Sequence, residues 1–312
     1  MNILLTTACN LDCDYCFAQS LRGRAGQREM TLRDLEWLLS QLNPDLDEVR
    51  LMGGEPTLHS RYAEVMRIVK SRDFIATVFT NGTRPALRQT APDLPDRVLL
   101  NLNDWPAYSA GQQAEILNNL SALGQRLSLG YTVTRPGFDL STHRKLILDY
   151  GLKPVIRLGL AQPVIGGRNI YLADADLAAA HRAVADWATR LAADGIRLNF
   201  DCGFGRCHFT DGQIEQLVRA GAALRFFCAP SLDVGPGLLA WRCYAFSATP
   251  GVDLRQFGSL EQVRDGFRAD DGYLDPACDS CRDHQSGWCQ GGCLARQAIK
   301  AIASPVAPAN LK

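Results

Sequence analysis

Apolar positions along the first two thirds of the chain switch repeatedly between two patterns. Short apolar runs, "NILLT", "EVRLMGGE", "IATVFTNG", "RVLLNLND", "LSLGYTVT", "KPVIRLGLA" and "IRLNFD", read as strands, several ending in turn or polar residues. Between them lie stretches with apolar residues three and four apart. In "TLRDLEWLLSQL" Leu32, Leu35, Leu38, Leu39 and Leu42 form one helical stripe, and Thr31 with Asp34 supplies a cap signature. "RYAEVMRIVKS", "SAGQQAEILNNLSALG", "LSTHRKLILDYG" and the Ala-rich "DADLAAAHRAVADWATRLAADG" predict further helices.

This alternation predicts right-handed crossovers and a parallel sheet. Six strand–helix units fit before about residue 195. A closed eight-unit barrel needs ~250 residues, so the predicted class is α/β, a partial (β/α)6 barrel over residues 1–195. From about 196 the rhythm is lost, and glycine, cysteine and turn residues become frequent. "PGLLAWRC" predicts a small hairpin strand and "SLEQVRDGFR" a helix. Residues 196–303 are expected to form a small loop-rich domain that metal would have to stabilise. The Pro/Ala-rich residues 304–312 are expected to form a flexible tail.

Composition narrows the class. The chain has 312 residues, 46% of them hydrophobic, enough for a sizeable core. Lys plus Arg and Asp plus Glu are both 33, a balance that gives no reason to expect nucleic-acid or membrane-surface partners. No apolar run approaches the ~20 residues of a spanning helix, and "MNILLTTACN" lacks the basic and long apolar regions of a secretory signal. The expected location is therefore cytoplasmic. There, 11 cysteines are an anomaly, because cytosolic cysteine clusters usually serve metal or redox chemistry rather than disulfides. Three precede residue 17, none lies between 17 and 201, and eight lie from 202 to 293.

The first three are Cys9, Cys13 and Cys16 in "TACNLDCDYC". A zinc site or cluster held wholly by protein takes four ligands, and the closest further donor, His59, lies beyond the next strand. Three thiolates on a four-iron cluster leave one iron open to a substrate or cosubstrate. The second strand ends in "GGEP", Gly53 to Pro56, where two glycines allow close backbone approach. Glu55 is placed either to serve a ligand's ammonium or to brace the turn. Other strand ends carry Thr80 and Asn81, Asn103 and Asp104, Thr134 and Arg135, and the backbone of Leu160. Parallel barrels place their chemistry on this edge, although each of these residues also has an ordinary capping or structural reading.

Cys-x3-Cys-x2-Cys, with Tyr15 before the last cysteine and "GGEP" after the second strand, resembles the radical S-adenosylmethionine (SAM) enzyme superfamily over residues 1 to about 200. The resemblance implies that Cys9, Cys13 and Cys16 ligate a [4Fe–4S] cluster and that SAM completes its fourth iron. It implies SAM contacts at Gly53, Gly54, Glu55 and Pro56. Asn81, Asn103, Thr134 and the Leu160 backbone are further contacts by position. An external one-electron reductant of flavodoxin or ferredoxin type would drive cleavage of SAM to methionine and a 5′-deoxyadenosyl radical, which abstracts a hydrogen from the substrate. Asp104 and Arg135 are candidate catalytic groups by position, as is Asp201.

Cys278-x2-Cys281-x7-Cys289-x3-Cys293, preceded by Cys228 and Cys243, resembles the SPASM/twitch extension, which carries auxiliary [4Fe–4S] clusters. The chain departs from that pattern with seven residues where five are usual and with no cysteine after Cys293. Two auxiliary clusters would use every remaining thiol if Cys202 or Cys207 replaced the missing ligand. One auxiliary cluster beside buried apolar cysteines, or a structural zinc, stays open. His208 and His284 read as surface residues, and "IGGRN" at 165–169 as a loop over the mouth.

The leading substrate class implied is a ribosomally made peptide or protein side chain, altered by crosslinking, oxidation or epimerisation with auxiliary clusters as electron acceptors. With the first cluster cysteine at residue 9, no leader-binding domain is expected ahead of the barrel, so a peptide would need a separate recognition protein or direct docking. The alternatives are a small molecule (sugar, amino acid or cofactor precursor) and a non-catalytic iron–sulfur electron carrier.

Overall fold

The computed structural model describes residues 1–22, 26, 28–228, 232–269 and 274–303. Strands β1 (Asn2–Leu4), β2 (Val49–Met52), β3 (Ala76–Thr80), β4 (Arg97–Asn101), β5 (Leu127–Val133), β6 (Val155–Leu160) and β7 (Arg197–Phe200) run parallel in chain order. The crossovers carry α1 (Leu32–Ser40), α2 (Tyr62–Lys70), α3 (Ala110–Leu123), α4 (Ser141–Tyr150) and α5 (Leu177–Ala192), with only a short turn of helix, Ala86–Gln89, between β3 and β4. Thr31 caps α1 by accepting the Asp34 N–H, and Ser109 with Gln112 makes a reciprocal capping box on α3.

Alternation along the strands assigns the two faces. Ile3, Leu51, Val78, Leu100, Leu129, Ile156 and Leu198 are buried in one core with Leu35, Leu38, Val65, Val69, Ile116, Val184 and Leu191 of the helices. Each such side chain contributes about 1.5–3 kcal/mol when fully buried. The intervening positions face the concave side and are often polar or small. There Arg157 on β6 donates to Asp201 at 2.6 Å, and its guanidinium lies 4.6 Å from the centroid of Phe79 on β3. In a flat sheet β3 and β6 would stand ~14 Å apart, so this contact across three strand spacings reflects the curl of a partial barrel.

The loop-rich part joins the same sheet. β8 (Asp233–Val234) pairs in parallel with β1, and β9 (Leu239–Trp241) and β10 (Val252–Asp253) follow antiparallel. The result is one sheet of ten strands, ordered β10-β9-β8-β1-β2-β3-β4-β5-β6-β7. The division expected at residue 195 falls just before β7, which continues the barrel sheet. Beyond it, among the described residues, lie α6 (Asp211–Arg219), α7 (Leu260–Ala269), a short turn of helix, Arg282–Gln285, and α8 (Leu294–Ala303). Only α7 is anticipated by the sequence reading. α6 carries a capping box, Thr210 with Gln213, whose T-x-x-Q signature was legible. The expected tail, 304–312, lies outside the described residues. Among the described residues no helix is long and apolar enough to cross a membrane.

Candidate functional site

The first cysteine loop leaves β1 and is held against the end of β2. Gly54 N–H donates to the Thr6 carbonyl and Glu55 N–H to the Ala8 carbonyl, each at 2.8 Å. A Cβ on Gly53 would stand 2.7 Å from the Thr6 oxygen, and one on Gly54 2.2 Å from the Ala8 oxygen. The two glycines are therefore required by the contact between the loops as well as by any ligand. Cys9, Cys13 and Cys16 are half-buried here. Burial pushes the Cys9 thiol up, with Glu55 and Cys16 adding repulsion. Burial likewise raises Cys13; the Tyr15 hydroxyl's hydrogen bond opposes this, and the neighbouring Cys16 and Cys9 reinforce it. Three thiols thus crowd one half-buried loop at the C-terminal edge of the sheet.

Glu55 is fully buried and accepts four hydrogen bonds. Oε1 takes the Thr57 N–H (3.1 Å), the Thr57 hydroxyl (2.6 Å) and the Thr80 hydroxyl (2.8 Å), and Oε2 takes the Asn81 N–H (2.8 Å). Burial raises its carboxyl and these donors pull it back. These four bonds brace the turn. Pro56 begins a one-turn helix, Pro56–Leu58. Asn81 extends the brace: its Oδ1 accepts from Thr83, and its Nδ2 donates to Asn10 at 2.9 Å. Asn10 in turn donates to the Thr83 hydroxyl at 2.7 Å. Asn10 and Thr83, which the sequence reading passed over, thus tie the cysteine loop to the end of β3.

The other strand-end candidates spread along the same edge. Asn103 is engaged by β5, donating to the Thr132 carbonyl at 2.5 Å and accepting its N–H at 3.1 Å. Thr134 is half-buried, and Asp104 and Arg135 are exposed. Burial chiefly raises the Tyr131 hydroxyl; Arg135 pulls it back and Asp104 adds to it. Leu160 is buried, and its N–H donates to the Cys202 carbonyl at 3.1 Å. His59 is no spare ligand, because Nε2 lies 2.8 Å from the Met30 carbonyl and Nδ1 accepts the Arg61 N–H. The 165–169 loop is tied down rather than free. Asn169 donates to the Tyr15 and Gln162 carbonyls, and Ile165 N–H donates to Ala245. Ser247 donates to the Phe17 carbonyl, so the C-terminal segment also clamps the cysteine loop.

The eight later cysteines fall into two groups by their mutual electrostatics. The Cys202 thiol hydrogen-bonds to Cys293, and this bond raises it well above the ordinary thiol range although the residue is exposed. The same bond pulls Cys293 down, helped by backbone N–H groups at the start of α8. Burial raises Cys228, which feels Cys293, and Cys243, which feels Cys293 and Cys228. In the other group burial raises Cys207, which feels Cys289 and Cys281, and Cys278, which feels Cys207, Cys289 and Cys281. The grouping is therefore Cys202, Cys228, Cys243 and Cys293 in one set and Cys207, Cys278, Cys281 and Cys289 in the other. One loop after β7 feeds both. Gly291 and Gly292, at φ 79° and 81°, make the left-handed turn that sends Cys289 and Cys293 to different sets.

Thiols raised by burial and by neighbouring thiols, as Cys228, Cys243, Cys207 and Cys278 are, keep their protons unless metal displaces them. All-sulfur donor sets suit zinc or iron–sulfur clusters. Among the described residues no three Cys, His, Asp or Glu side chains close around one point as a single ion requires.

Comparison with known proteins adds the following. Residues 3–132 match the family model described as Radical SAM superfamily. A probable GTP 3′,8-cyclase of Halobacterium salinarum is 35% identical over 173 residues, 53% of this chain and 44% of that protein. A tungsten-containing aldehyde ferredoxin oxidoreductase cofactor-modifying protein of Pyrococcus furiosus is 35% identical over 80 residues, 25% of this chain and 22% of that one. The matched stretches thus span less than half the length of these relatives. In fold, the chain is similar to Streptococcus suis SuiB bound to S-adenosylmethionine, with a TM-score of 0.70 at 16% identity over 97% of this chain and 74% of SuiB. SuiB bound to the precursor peptide SuiA gives the same TM-score and identity.

Proposed function

Because this chain belongs to the radical SAM superfamily, we propose that Cys9, Cys13 and Cys16 hold a [4Fe–4S] cluster beside a SAM molecule seated on Gly53–Pro56. The observation that carries this reading is the pair of backbone bonds from Gly54 and Glu55 to Thr6 and Ala8, which fix the glycine turn against the cysteine loop. When bound there, the cluster would supply the electron for reductive cleavage of SAM, with methionine as leaving group, and so the hydrogen-abstracting chemistry. The chain's own residues do the positioning. Glu55 locks the turn through Thr57, Thr80 and Asn81. Asn81, Asn103, Thr134 and the Leu160 backbone line the edge along which SAM would lie. Asp104 and Arg135 stand exposed at the mouth as candidate proton-transfer or substrate-orienting groups.

On this reading residues 1–195 carry the radical chemistry, and 196–303 form a SPASM/twitch-like region. Its two sets of four thiolates each hold an auxiliary [4Fe–4S] cluster able to accept an electron from the substrate. A ribosomally made peptide or protein side chain is the leading substrate class. It is supported by likeness in fold to SuiB bound to its precursor peptide, along 97% of the chain. A small-molecule substrate is favoured by the polar pair Arg157 and Asp201 on the concave face and by the cyclase-like relative. Anaerobic incubation of the reconstituted protein with SAM and dithionite, standing in for a flavodoxin- or ferredoxin-type donor, is expected to release 5′-deoxyadenosine and methionine. Formation of neither would overturn the enzyme reading in favour of an electron carrier. Deuterium passing into 5′-deoxyadenosine from a labelled peptide, but not from labelled nucleotides or sugars, separates the substrate classes.

A further inference from the structure

A buried cation stands beside the first set of later cysteines. Arg242 is only 7% exposed; its Nη1 donates to the Cys228 sulfur at 3.7 Å and its Nη2 to the Cys228 carbonyl at 3.3 Å. The residue next to it, Cys243, belongs to the same set. Its position is fixed from both sides. Trp241, at the end of β9, is buried and donates to the Thr249 carbonyl at 3.1 Å. Tyr244 N–H donates to the buried Asp233 carboxylate at 2.6 Å. Arginine cannot shed its proton in a protein, so a permanent charge is held against this sulfur.

We propose that Arg242 raises the reduction potential of a cluster on Cys202, Cys228, Cys243 and Cys293. The proposal rests on the reading that each set holds a [4Fe–4S] cluster. Reduction adds one electron and breaks no bond, so the cluster and its four thiolates become more negative by one charge. A hydrogen-bond donor and positive charge at the Cys228 sulfur stabilise that added charge, as hydrogen bonding to cluster sulfurs does in general. Arg242 is a positioning and tuning residue, since it touches a ligand and not the reacting atoms.

The test uses the full chain with Cys9, Cys13 and Cys16 replaced by Ala, reconstituted anaerobically with iron and sulfide. Dithionite titration in redox mediators, followed by electron paramagnetic resonance, reads each auxiliary cluster. Arg242→Gln is expected to lower the reduced-to-oxidised ratio of one signal about tenfold at fixed potential, a downward shift of about 59 mV, and to leave the other signal in place. Arg242→Lys, which keeps the charge, is expected to stay within about threefold of the parent. An Arg242→Gln protein that titrates like the parent overturns the proposal. If Arg242→Gln sheds iron, Arg242→Lys decides: a tenfold or larger change overturns the proposal, and parent-like titration supports it. A parent that binds well under about eight irons overturns the two-cluster reading itself, and the iron assay shows this before any potential is measured.

Discussion

Gly54→Ala puts a methyl group where the cysteine loop crosses the glycine turn. The new carbon would lie 2.2 Å from the Ala8 oxygen, 2.6 Å from the Ala8 carbonyl carbon and 3.0 Å from the Cys9 Cβ. Carbon and carbonyl oxygen rest at ~3.3 Å or more, so backbone must retreat by about 1 Å. That displacement takes the Gly54-to-Thr6 and Glu55-to-Ala8 hydrogen bonds, both 2.8 Å now, past useful geometry. Losing two such bonds costs about 0.5–1.5 kcal/mol each, and the overpacking about 1–3 kcal/mol more. The sum is about 2–6 kcal/mol, concentrated on the loop rather than the core. Even its lower end is a loss of roughly 30-fold in affinity. Anaerobic calorimetry of SAM binding to reconstituted protein, with iron content measured in parallel, reads it directly. Gly130→Ala is the control. Its Cβ would meet the Asn101 Oδ1 at 2.4 Å, the free end of a side chain, which can rotate away, so the expected cost is under about 1 kcal/mol. SAM binding by Gly54→Ala within threefold of wild type at full iron content would refute the argument. So would an equal loss from Gly130→Ala.

Two further outcomes follow from the same geometry. His143 and His181 are buried and held down to about 4, chiefly by burial, against ~6.5 in the unfolded chain. The unfolded state then binds more protons between these values. Stability is complete above pH 6.5 and falls as pH drops towards 4, by up to ~3 kcal/mol for each histidine. Urea midpoints measured from pH 7.5 to 5 should fall and the slope should flatten in His143→Gln; a flat wild-type profile would count against it. Separately, Cys202→Ala and Cys207→Ala are each expected to remove about four of about twelve irons, and the double variant about eight. Unchanged iron in either single variant would show that the eight cysteines are divided wrongly.

The barrel was legible because its strands and helices are long enough to display their periods. Leu35, Leu38 and Leu39 announce α1, and the runs "RVLLNLND" and "LSLGYTVT" announce central parallel strands. β8 is two residues long, too short for any periodicity, so its place beside β1 was out of reach. α6 and α8 were obscured by the cysteine- and glycine-rich stretches around them, although Thr210 and Gln213 carried a cap signal. The triad and the glycine turn stood out as patterns. The brace around them did not, because Thr57, Thr80, Asn81, Thr83 and Asn10 come from separate loops and meet only in three dimensions. The division of the eight cysteines is hidden for a related reason. In chain order the two sets interleave, and only the turn at Gly291 and Gly292 and the loop after β7 separate them.

β1 is three residues long and lies between β2 and β8. One of its neighbours is made early in synthesis and the other some 230 residues later. The loop that follows β1 is also clamped by Ser247, which reaches the Phe17 carbonyl. Such contacts, distant in sequence, form late and slowly. Residues 2–17 are therefore fixed in place only once residues 233–247 have joined them. Iron delivered before that would meet an unclamped triad, so loading of this loop belongs after the segment around Ser247 has docked.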